Sequence, residues 1–80
     1  MDDRAIVEEI NRLAEEEHRI ERAHPGTPLS PEEKERLENL AVTLDQCWDL
    51  LAQRRARRAA GQNPDAAEVR PASVVENFKQ

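Results

Sequence analysis

Residues 24–30 read HPGTPLS, and two prolines and a glycine in seven positions stop any regular element from running through. What lies on either side is amphipathic at helical period. Upstream, Ile6, Ile10, Leu13 and Ile20 follow one another at spacings of four, three and seven, which puts them on one face of a helix. Downstream, Ser30-Pro31-Glu32-Glu33 supplies a capping hydroxyl, a proline at the first helical position and a carboxylate at the third. Leu37, Leu40, Leu44, Cys47 and Leu51 then alternate by three and four, and Trp48 widens the stripe. Gly61 and Asn63-Pro64 end it.

Two helices joined by so short a break must lie antiparallel. The pattern predicts an all-α hairpin over residues 1–61, with helices at 3–23 and 31–60, and a C-terminal tail over 62–80 with a short helix near 72–78. Asp2 or Asp3 caps the first helix, and Glu8 with Arg12 and Glu15 with Arg19 stand in the favourable i,i+4 order. Counting outward from the loop sets Ile10 opposite Leu44 and Ile6 opposite Trp48. The second helix outruns the first by roughly 13 Å, and that overhang carries Arg54, Arg55, Arg57 and Arg58. In the tail, Val69, Val74, Val75 and Phe78 are the side chains able to dock on another surface.

Composition agrees with long solvated helices rather than a sheet: 36% of residues are charged, 2% aromatic, and glycines number two. The net charge of -5 excludes a protein whose whole surface serves nucleic acid, since a polyanion needs a positive contact face. A single cysteine cannot close an internal disulfide, and MDDRAIVEEI has neither a basic start nor an apolar core, so a cytoplasmic protein without a membrane segment is expected.

The arginines are the foremost site candidates. Their stems can cover apolar surface while their heads pair with acids of the first helix or of a partner. The alternative is an accessory nucleic-acid contact through residues 54–58, but no aromatic side chain interleaves with them to stack bases. Leu50, Val7, Val42 and one side of Trp48 make a second apolar stripe. An isolated hairpin of this size is marginal, so the stripe predicts a homodimer forming a four-helix bundle, a coiled-coil-like assembly with tails wrapping its ends. Arg54, Arg55, Arg57, Arg58, Trp48 and Leu50 are therefore the candidate partner-binding residues.

Other constellations point to less. Glu15 and His18 have the spacing of a di-iron helix but face away from the apolar stripe, so no metal and no other cofactor is expected. His24 reads as an exposed loop residue. Glu17 takes a seam position between Leu13 and Ile20, where a lone polar group fixes register, and Arg36 is its candidate partner. Asp45 and Asp49 read as solvated carboxylates without a pocket, and Cys47 as a small apolar group in the seam. The segment from residue 44 has the flavour of the first helix of a small helical mutase such as chorismate mutase, yet that fold needs further long helices after it. A non-enzymatic role is expected.

LDQCWDLLAQRRARRAAG, with EEEHRIER before it and NPDAAEVRPASVVE after it, resembles a family of short actinobacterial proteins known only as a domain of unknown function. The likeness spans nearly the whole chain. It implies a compact cytoplasmic protein, and no catalytic residue transfers with it.

Overall fold

In the computed structural model, residues 2–77 are described, Asn77 by its backbone alone. Two long helices, α1 (Asp3–Arg22) and α2 (Pro31–Ala59), fold back on each other at the proline-rich break. A 3₁₀ turn (Pro64–Ala66) and a short helix α3 (Ala72–Asn77) follow, and the described residues contain no strand. The expected all-α hairpin is the observed fold. Phe78 lies outside the described residues.

Local chemistry sets each boundary. The Asp2 carboxylate accepts the Ala5 N–H at 2.8 Å and caps α1. At α2 the capping box is complete: the Glu33 N–H donates to the Ser30 hydroxyl at 3.2 Å, and the Ser30 N–H donates to the Glu33 carboxylate at 3.0 Å. His24, expected to be exposed, instead contacts the other Glu33 oxygen and ties the loop to this cap. Its neighbours Ser30 (first through the backbone) and His24 hold the Glu33 carboxyl below the usual carboxylate range. Gly61 ends α2 at φ +73, with the Gln62 N–H reaching back to the Arg57 carbonyl at 2.8 Å. That six-residue closure with a left-handed glycine needs no side chain at the turn.

Ile6, Ile10, Leu50 and Leu51 form the core, with Leu44, Cys47 and Ala67 packed against them; Leu13 and Leu40 are buried nearer the loop. The register differs from the one counted out from the loop. Ile6 packs with Leu50 and Leu51, while Trp48 stands 53% exposed. With the same displacement, Asp3 lies opposite Arg54 at the open end. At the loop end Arg36 donates to Glu16 at 3.0 Å, so Glu16 rather than Glu17 holds its guanidinium. On the surface of α1 the ion pairs are Arg4 with Glu8, Arg12 with Glu9 and Arg22 with Glu15, different pairings from those expected.

After Gly61 the chain reverses and runs back along α2. The 3₁₀ turn and α3 both pack on α2, as does α1, whereas α1 and α3 make no comparable contact among the described residues. The long helix is thus the central rod, with the first helix along one side and the tail strapped along another.

Candidate functional site

The sequence placed four arginines on a projecting helix end; the structure divides them. Arg54 is 6% exposed. Its Nε donates to Asp3 at 2.6 Å, and its Nη1 donates to Asp65 at 2.9 Å and to the Pro64 carbonyl at 3.2 Å. It therefore clamps together the start of α1, the body of α2 and the start of the strap. Arg58, one turn on, takes the same Asp3 carboxylate from the other side, one bond measuring 3.2 Å. Hydrogen bonds from Arg58 and then Arg54 bring the Asp3 carboxyl from 3.8 down to about 2. Arg55 is exposed and Arg57 half-buried, and neither meets a carboxylate among the described residues. The expected cationic tip is reduced to these two.

Leu50 was expected on an outer stripe. It is buried instead, because the strap crosses it: Leu50 borders one cavity of about 280 Å³ with Arg54, Asp65, Ala67 and Val69, and another of about 130 Å³ with Ile6, Thr43, Gln46, Cys47 and Val69. Leu50 and Arg54 are accordingly interior residues, not free surface. Cys47 packs partly buried against the core, and burial, with Glu9 nearby, pushes its thiol upward, away from the thiolate a nucleophile needs.

The strap is held by side chains that the sequence did not mark as contacts. Gln46 donates to the Arg70 carbonyl at 3.1 Å and Gln53 to the Glu68 carbonyl at 2.9 Å. Between them Asp49 receives the Arg70 guanidinium through both carboxylate oxygens, one bond at 2.8 Å, and a 2.9 Å bond from Gln53 orients it. The Asp49 side chain is only 12% exposed, a correction to its reading as a solvated carboxylate; Arg70 first, then Gln53, lowers its pKa. Gln46, Asp49 and Gln53 recur at three and four along α2, the one signal that marked them as a face. Farther along, α3 packs on α2 and Val75 is buried.

Trp48 lies roughly 150° round α2 from Gln46 and Gln53, at about 100° per residue. It is the largest exposed apolar side chain among the described residues, and Val7 on α1 is also exposed. Glu15 and His18 both face solvent, and no group of three or more potential metal ligands comes together among the described residues. None of the described helices is long and apolar enough to cross a membrane.

What these elements define is a small helical hairpin whose C-terminal segment is bound along its long helix by main-chain and ionic contacts. Its family is shown by comparison: residues 2–80 match the model for "Protein of unknown function (DUF2630)", and the chain belongs to that family. Uncharacterized proteins of Mycobacterium tuberculosis (Rv0898c) and Mycobacterium bovis (Mb0922c) are each 44% identical to it over 78 residues, covering 95% of this chain and 88% of the relative. The resemblance to actinobacterial proteins of unknown role is thereby shown. No solved structure matches the chain.

Proposed function

We propose that this protein is a non-enzymatic self-association module of the cytoplasm, pairing with a second copy through the α2 face centred on Trp48 to form a four-helix bundle. The observation that carries the reading is Trp48 itself, 53% exposed. A tryptophan presents a large apolar area to water, and such a side chain is characteristic of the buried centre of an interface. Val7 on α1 is also exposed, and Arg55, about two turns beyond Trp48, is an exposed cation without a carboxylate partner among the described residues.

The nucleic-acid alternative loses support from the same geometry. Arg54 is turned inward and Arg58 is bound to Asp3, which leaves Arg55 and Arg57 in a chain of net charge -5. Two arginines of the cluster without a carboxylate partner among the described residues make a weak phosphate footprint. The deciding experiment is sedimentation velocity at micromolar concentration on the wild type and Trp48→Glu. A dimer that becomes a folded monomer on substitution supports the reading. A folded wild-type monomer ends it.

A further inference from the structure

Along α2, Ala41, Asp45, Trp48, Ala52, Arg55 and Ala59 recur at alternating steps of four and three. At about 100° per residue they fall within roughly 80° of arc, one narrow stripe down the helix. All of them are exposed except Asp45, which is half-buried. Leu50, bordered by the strap residues Asp65, Ala67 and Val69, is two positions from Trp48 and so lies roughly 160° round the helix from it. The order of chemistry along the stripe matters. Between two terminal alanines it reads acid, large, small, base. Such an order complements itself when reversed, because base then meets acid, small meets large and alanine meets alanine.

Resting on the self-association proposed above, we infer that two copies pair with their α2 helices antiparallel about a two-fold axis at the level of Leu50. Trp48 of each chain lies over Ala52 of the other, and Asp45 of each pairs with Arg55 of the other. The occupant is a second copy because the complement of every group stands on the same stripe, equally far from its centre on the other side, as a two-fold interface requires. The helices then overlap from Ala41 to Ala59, about 27 Å, and α2 ends where the overlap ends. The alanines let the two backbones approach closely around the indoles. Asp45 takes this bond in addition to its contact within its own chain, because an ionised carboxylate offers about four acceptor sites. Other alignments lose these matches. Parallel helices set Asp45 against Asp45 and Arg55 against Arg55, and an antiparallel shift that stacks the two indoles carries each acid about one turn past its base.

Sedimentation of full-length charge variants at low salt tests the alignment. Asp45→Arg and Arg55→Asp each place two like-charge contacts in every dimer, and each is expected to raise the dimer dissociation constant by roughly tenfold or more. The double variant Asp45→Arg/Arg55→Asp rebuilds both attractive pairs in reverse and is expected to return to within about threefold of wild type. Single variants that weaken the dimer without recovery in the double variant overturn the pairing. Should Asp45→Arg fail to fold, Arg55→Asp against Arg55→Lys decides, since Arg55 has no carboxylate partner among the described residues: a dimer weakened by the first and kept by the second supports the pairing, and equal dimers overturn it. If wild type and all charge variants dimerise equally while Trp48→Glu is a monomer, the antiparallel alignment is overturned and self-association through Trp48 stands. A monomeric wild type removes both, so the two ideas fail separately.

Discussion

Asp3 is the residue on which the hairpin's open end depends. It accepts from both Arg54 and Arg58, and Arg54 passes the restraint on to Asp65 and Pro64 in the strap. One carboxylate thus ties the first turn of the chain to residues more than fifty positions later. A neutral amide keeps the shape but loses the charge that two guanidiniums neutralise, so Asp3→Asn is expected to lower the melting temperature by several degrees at neutral pH. The sign of the pH dependence follows from the depressed pKa. A carboxylate held at about 2 in the folded chain, against an ordinary 3.8, contributes stability that is complete only above about pH 5 and is lost progressively as pH falls through 3.8 toward and below 2. Thermal melts of wild type and Asp3→Asn should therefore run parallel above about pH 5 and converge between about pH 4 and pH 2. A gap that persists at pH 2 would show that the amide acts through packing instead.

At the scale of elements, the ends of α2 do different work. Its start is fixed by side chains, Ser30, Pro31 and Glu33, whereas its end is fixed by backbone conformation alone at Gly61. Gly61→Ala meets no steric obstacle, since a Cβ there has nothing within 4 Å, yet an L side chain at φ +73 is disfavoured by roughly 1–2 kcal/mol. Urea unfolding should register that loss, with the strap amides losing protection before those of α1. This asymmetry also explains what could be read from the sequence. The loop, the caps, the glycine stop and the aliphatic seam are written in local patterns, so the all-α hairpin was legible, although the register between its two helices was not. Nor was the strap. Gln46, Asp49 and Gln53 are ordinary polar residues for a helix surface, and nothing local tells a carboxylate facing water from one facing Arg70 across twenty-one positions. Arg54 was misplaced on a projecting helix end for the same reason: its burial accompanies ion pairs with Asp3 and Asp65 from two other segments.

For the whole molecule, the decisive fact is that every element packs on α2 and little packs on anything else. The result is an elongated slab of 50 × 26 × 15 Å, and fully apolar burial is confined to a handful of side chains between α2 and its two neighbours. A chain of this length gains little from such a core, and small domains generally need a partner or a cross-link to be robust. Stacking two slabs through their Trp48 faces, as proposed above, would supply a second layer and link folding to association. The consequence is thermodynamic and separable from any count of species in the centrifuge. If native chains are dimers and unfolded chains are monomers, each tenfold rise in concentration adds about 1.4 kcal/mol to the apparent stability of the assembly. For a two-chain unit of this size that raises the melting temperature by roughly 3–5 °C per decade. Trp48→Glu should melt lower and at one temperature regardless of concentration, with the Asp3 and Arg54 clamp still intact. Calorimetry over a hundredfold range of concentration distinguishes the cases, because a wild-type transition that stays fixed across that range belongs to a hairpin that folds alone.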